Sequence, residues 1–269
     1  MTWLKVILIG FVTTICRIIG QMLIPAGSQD VLPPSVFVAN GTLPIVFMIY
    51  GVFAFGLIAA MFLLIRHSVP GHRIAQGLKY AISCCCVWVV YLLEPLPHAA
   101  PIDRITYPLV DGIALLIMGV MTGLLLGKNN EKAKGTRANR IGYIAIAAIT
   151  LAFTAGRLLQ YLVFDTYSLY SEKTVETLIW VISTGLVISG VISWLRMYVI
   201  KRGRLPSAIV LGGILFGADL ALFNFFVPLV LSVDITDLIL RTVIDTTAVM
   251  IGCLFIKNED SAKEAGKSK

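Results

Sequence analysis

Four ionisable residues lie deep inside apolar runs: Arg17, Arg157, Asp219 and Asp245. Arg241 and Asp111 lie nearer the ends of such runs. An ionisable side chain at the centre of a bilayer-spanning helix costs about 2.5–3.5 kcal/mol on insertion scales, so it is kept where it is paired or useful. A guanidinium grips carboxylate or phosphate in a two-pronged fork. Arg17 and Arg157 are therefore candidates for holding an anionic group, and Asp219 with Asp245 for coupling to a cation or a proton.

Depth supports treating these residues as one set. At about 1.5 Å of rise per residue, Arg17 lies about 21 Å from the basic end of its run, Arg157 about 24 Å and Asp219 about 18 Å. Asp245, on a run of opposite direction, comes to about 20 Å. Arg241 and Asp245 are four apart and share a helix face. Gln21, Gln160, Tyr161, Asn224 and Thr246 fall beside the same layer. The candidate ligand-binding set is Arg17, Arg157, Asp219, Asp245, Arg241, Gln21, Gln160 and Asn224. The competing expectation is a purely structural lattice, with Arg157 paired to Asp219 or Asp245 and Arg17 to Asp111.

Other chemistry finds little support. The sequence contains no G-x-S-x-G, H-E-x-x-H, Walker or G-x-G-x-x-G motif. His67 and His72 share a basic loop with no nearby carboxylate, and His98 falls in a different loop, so no metal site or cofactor is expected. Cys16, Cys84, Cys85, Cys86 and Cys253 all sit in apolar runs and form neither zinc-ligand spacing nor a disulfide framework. Arginines beside Asp219 and Asp245 would keep both carboxylates ionised, which argues against an aspartyl dyad. No catalytic residue is assigned.

The elements that must position these side chains are membrane helices. The 269 residues are 58% hydrophobic and 14% charged, with a mean hydropathy of +0.88. That is too little charge to cover a soluble domain. Apolar runs long enough to cross a bilayer occupy roughly 3–24, 44–65, 77–93, 108–126, 141–164, 174–195, 207–231 and 238–256. The first is followed by no clear cleavage site and reads as a retained helix. The expected fold is thus an all-α, multi-pass bundle of about eight transmembrane helices.

The net charge of +7 sits mostly in alternate loops, which points to membrane orientation and not to nucleic acid. Loops 66–79, 128–140 and 196–204 and the tail after 256 are basic; the intervening loops are acidic or nearly neutral. Basic loops stay in the cytoplasm, so both termini are expected there, in a cell membrane. Asn40-Gly41-Thr42, a glycosylation triplet, then falls outside.

The halves resemble each other. Thr14-Ile15-Cys16-Arg17 matches Thr154-Ala155-Gly156-Arg157, Glu94-Pro95-Leu96 matches Val227-Pro228-Leu229, and the run ending at Lys128 matches the one ending at Lys257. Four helices per unit make the copies parallel, related by an axis along the membrane normal. The expected domains are a first repeat at 1–128, a basic linker at 129–140, a second repeat at 141–257 and a tail at 258–269.

Three functions suit this layout. One is a transporter or flippase for a small or lipid-linked anionic substrate, its site between the halves. Another is an intramembrane lipid-modifying enzyme that adds Glu94, Asp103, Arg104 and Asp111 at the rim. The last is a non-catalytic sensor or complex subunit. The partners expected are the lipid bilayer and an anionic small molecule or headgroup; the oligomeric state is left open.

Overall fold

A computed structural model describes residues 2–25, 27, 29–129, 142–199 and 203–256. Within them the chain is helical, and no strand forms. The linker expected at 129–140 falls outside the described residues apart from Asn129, as does the tail at 258–269.

Seven helices are long and apolar enough to cross a membrane, and the chain is by that measure a multi-pass membrane protein. They are α1 (Thr2–Leu23), α3 (Leu43–Met61, extended by one 3-10 turn to Leu64), α4 (Arg73–Leu92), α5 (Asp103–Leu126), α6 (Tyr143–Leu162), α7 (Thr174–Arg196) and the composite span Arg204–Val230. A short α2 (Val36–Ala39) precedes α3. The composite span comprises α8 (Arg204–Ala208), a π-helical stretch (Ile209–Ala218), α9 (Asp219–Asn224) and α10 (Val227–Val230). The last helix, α11 (Ile235–Cys253), is 19 residues long, carries Asp237, Arg241 and Asp245, and falls outside the seven. Its charges explain why hydropathy passes it over.

Each helix separates a packed stripe from an apolar outer face. On α1 the buried residues are Val6, Ile9, Gly10, Thr13, Thr14 and Arg17, while Leu4, Ile7, Leu8 and Phe11 face outward. That three-four spacing is the helical period. On α11 the buried face is Leu238, Thr242, Asp245, Ala248, Val249 and Gly252, and Ile239, Val243 and Ile251 lie outside. Its Thr242 and Asp245 thus point into the bundle, where bilayer physics favours polar groups.

The two halves pack by the same scheme. In the first, α1 packs on α3 and α5, and α5 on α4. In the second, α6 packs on α7 and α11, and α11 on the composite span. The halves meet where α4 crosses α7 and where α9 and α10 cross α3, with α4 also touching α9. Hydrogen bonds tie these crossings: Tyr50 of α3 donates to the Leu222 carbonyl at 2.8 Å, Trp180 of α7 donates to the Val90 carbonyl at 2.7 Å, and Trp88 of α4 donates to Asp219 of α9 at 3.1 Å.

Close helix approach depends on small residues. At Gly77 of α4 a β-carbon would strike the backbone of Gly119 and Gly123 on α5. Gly212 and Gly217 receive Met250 and Thr246 of α11 in the same way. Lys5, Arg73 and Lys128 gather at one end, where Lys5 Nζ donates to the Leu125 carbonyl and Gln76 donates to the Lys128 carbonyl. At the opposite end the segment before α2 closes over the composite span: Ser35 donates through its amide to Val230 and through its hydroxyl to Leu229.

Candidate functional site

Arg17 faces inward on α1 because the helical period places it on the stripe that begins at Val6. Its Nε and Nη2 donate to the two oxygens of Asp111 on α5, at 2.6 and 2.8 Å. Both side chains are buried. Aromatic rings close over the guanidinium: Phe226 at 4.1 Å from the centroid, Phe47 at 5.3 Å, Trp88 at 5.7 Å and Phe55 at 5.8 Å. A cation over ring faces in a dry setting gains electrostatic stabilisation.

Arg157 occupies the corresponding place on α6. Its Nη2 lies 2.7 Å from Asp245 Oδ2 on α11, and its Nη1 donates to Glu94 Oε1 at 2.9 Å. Trp180 lies 4.8 Å and Tyr91 5.3 Å from the guanidinium. Each arginine thus meets a carboxylate from the fourth helix of its own half and a ring from the second. Each also meets a ring from the third span of the other half, Phe226 for Arg17 and Tyr91 for Arg157.

The second-half site is larger. Asp245 also accepts from Gln160 Nε2 at 2.7 Å and from the Tyr91 hydroxyl at 2.9 Å. Glu94, 5% exposed, accepts a second guanidinium on the same oxygen, that of Arg241. Arg241 lies one turn from Asp245, and its side chain is 11% exposed. Charges therefore balance: Arg157 and Arg241 against Asp245 and Glu94, Arg17 against Asp111. Several polar atoms in this region are buried without a partner among the described residues, including Arg157 Nε, Gln160 Oε1 and the Tyr161 hydroxyl.

No protein-family model matches the chain. No curated protein or solved structure is similar to it either. The site must be read from its own chemistry.

The structure brings together in one network half of the eight residues expected to form one site. Arg157, Asp245, Arg241 and Gln160 form one network, and Arg17 with Asp111 forms another. Asp219 joins neither. The pairing of Arg157 with Asp219 does not occur, because Asp245 and Glu94 already occupy that guanidinium; Asp219 instead accepts the indole N–H of Trp88 at 3.1 Å. Asn224 donates to the Thr242 hydroxyl at 2.8 Å and bonds to no charged member of either network. Gln21, half-exposed at the end of α1, takes part in none of these bonds. Glu94 is the member that sequence reasoning underrated. It lies just past the end of α4, and only the fold places it between two arginines. Among the described residues no cluster of three or more His, Cys, Asp or Glu forms a metal site.

Around the same end, His98 stacks on Tyr167 with a ring nitrogen 3.1 Å from the phenol oxygen. Burial, reinforced by the Arg241 charge, lowers the pKa of His98 from its ordinary value, against the smaller opposing pull of Glu94 and Asp103.

Proposed function

We propose that this protein is a transporter or flippase for a small or lipid-linked anionic substrate. In this reading it has eight membrane helices arranged as two related four-helix halves, with both termini in the cytoplasm and the protein in the plasma membrane. The observation that carries the reading is the pair of arginine sites, each closed by a ring from the opposite half. Rocking one half against the other withdraws Phe226 from Arg17 and Tyr91 from Arg157 together. Repeat-built carriers use such movements around a site at the repeat interface.

The chemistry follows from what holds the guanidiniums now. A carboxylate or phosphate arriving in the layer offers the kind of forked acceptor that Asp111 gives Arg17. Exchange of a protein carboxylate for a substrate oxyanion keeps every buried cation matched, and the displaced carboxylate avoids the cost of a bare charge where a second partner stays with it, as Arg241 does with Glu94. Arg157 is the better placed of the two, because Glu94 and Arg241 connect it to the end of the bundle away from the basic loops.

One specific observation favours a second reading, a static ion-pair lattice in a complex subunit: every arginine of the layer already faces a carboxylate. Water access separates the two. Cysteines placed singly at Gly156, Leu220 and Thr246, with the five native cysteines replaced, are tested with a membrane-impermeant thiol reagent. The carrier reading expects labelling at two or more positions from outside, and loss of anion transport in Arg157→Gln. Unreactive thiols from both sides would move the protein to the lattice reading.

A further inference from the structure

Asp219 differs from the other carboxyl groups of the buried layer. Asp111, Asp245 and Glu94 each accept from a guanidinium. Asp219 is 1% exposed and meets no cation among the described residues. Its Oδ1 accepts the Trp88 indole N–H, and its Oδ2 has no hydrogen-bond partner. The groups packed around it offer no compensation. On α4, Tyr80 and Cys84 are buried, and the Tyr80 hydroxyl is committed to the Ile58 carbonyl. On α11, Arg241 and Asp245 are committed to Glu94 and Arg157. On α3, Tyr50 is committed to the Leu222 carbonyl. The π-helical stretch that leads into Asp219 contains no titratable residue.

A carboxylate anion in that setting would have lost its water for a single neutral hydrogen bond, which does not offset the desolvation of a charge. The neutral acid avoids that penalty. A metal cation fits poorly, because hard cations need several oxygen ligands and the one group aimed at Asp219 is a donor. The position matters as much as the chemistry. Trp88 belongs to the first half and Asp219 to the second, so their bond crosses the contact between α4 and α9. π-helical turns recur at functional sites, where the winding can change.

We propose that Asp219 is a proton-binding site at the contact between the halves, protonated while α4 and α9 are closed together and opening that contact when its proton leaves. The proton passes to water, and the carboxylate left behind is stabilised once water reaches it. The coupling to transport rests on the carrier reading; the site itself does not.

The test uses the full-length protein in lipid vesicles and dicyclohexylcarbodiimide, an apolar reagent that requires a protonated carboxyl. The acid's proton goes to a carbodiimide nitrogen as its oxygen adds to the central carbon, and the adduct rearranges to a stable N-acylurea that mass spectrometry maps. Label is expected on Asp219, and not on Asp111 or Asp245, at about pH 6, and it should fall severalfold at about pH 9.5. The Trp88 contribution to fluorescence, taken as the difference from Trp88→Phe, should shift to longer wavelength over the same range in the wild type and stay fixed in Asp219→Asn. An unlabelled Asp219 at both pH values, or label without the emission shift, overturns the proposal. Both readouts need no substrate. A protein that passes both and moves no anion keeps the proton site and loses the carrier reading.

Discussion

Arg17 in the first half meets one carboxylate through two nitrogens and sits under four rings. Arg157 in the second half splits its nitrogens between two carboxylates, one of which it shares with Arg241. The first arrangement is the more compact: a single carboxylate takes two of the guanidinium nitrogens, and no second charged residue shares it. The second is open-ended, because Glu94 and Arg241 extend it toward the partly exposed end of the bundle. A self-contained pair suits a fixed joint between α1 and α5. A shared one suits exchange, since Arg157 keeps one partner while the other moves.

The sharpest way to break this comparison is to remove one carboxylate from each network. Asp111→Asn leaves Arg17 buried with rings and no anion, the costly case of a charge stranded after its partner is lost. A loss of about 3–5 kcal/mol is expected. The readout is a large drop in thermal unfolding midpoint in detergent, with partial recovery in Asp111→Asn combined with Arg17→Gln. If Asp111→Asn unfolds at the wild-type temperature, the closed joint is not what holds the first half.

Glu94→Gln should cost less, about 1–3 kcal/mol, because Arg157 keeps Asp245 and Arg241 can turn toward solvent. Glu94→Gln and Arg241→Gln should be non-additive, with a coupling of about 0.5–3 kcal/mol in a double-mutant cycle of unfolding free energies. Independent effects would dissolve the shared-carboxylate account and make the two halves equivalent.

Much of this contrast could be read from sequence, and the unread part has a physical cause. The apolar runs are long and nearly charge-free, so the spanning helices α1, α3 to α7 and the composite span are legible from hydropathy. Helical rise suggests one layer, and Arg17 with Asp111 is among the pairs it offers. Three features were not legible. Glu94 sits past the end of α4, where depth gives no hint that two arginines converge on it. Asp219 shares the depth of Arg157, yet depth does not fix rotation about the helix axis, and a π-helical approach changes that rotation from the ordinary period. The ring exchanges, Phe226 to Arg17 and Tyr91 to Arg157, depend on how the halves dock, which no local pattern encodes.

The aromatic lids give a finer comparison. Phe226→Leu removes the nearest ring from Arg17 while keeping apolar volume, and should cost about 0.5–2 kcal/mol. Tyr91→Phe keeps the ring over Arg157 and deletes the hydroxyl that donates to Asp245, a loss of about 1 kcal/mol. Unfolding midpoints in one detergent rank the two. Equal tolerance of Phe226→Leu and wild type would mean that the carboxylate alone fixes Arg17.

The smallest effect separates the halves by pH, through His98 at the open end of the second network. Burial and then Arg241 lower its folded pKa below its unfolded value of about 6.5. The unfolded chain therefore takes up the proton first as the solution is acidified. Its contribution to stability is present above about pH 6.5 and is lost as pH falls through the folded value. Protonation also removes the ring's ability to accept from Tyr167 and adds a cation facing Arg241. We expect the unfolding midpoint to decline on acidification from about pH 7 to about pH 5, with His98→Gln declining less. Arg241→Gln should shrink the same difference, because the second of the two causes is gone. An identical acid slope in the wild type and His98→Gln would place the acid sensitivity elsewhere and detach His98 from the network that Arg241 joins to Arg157.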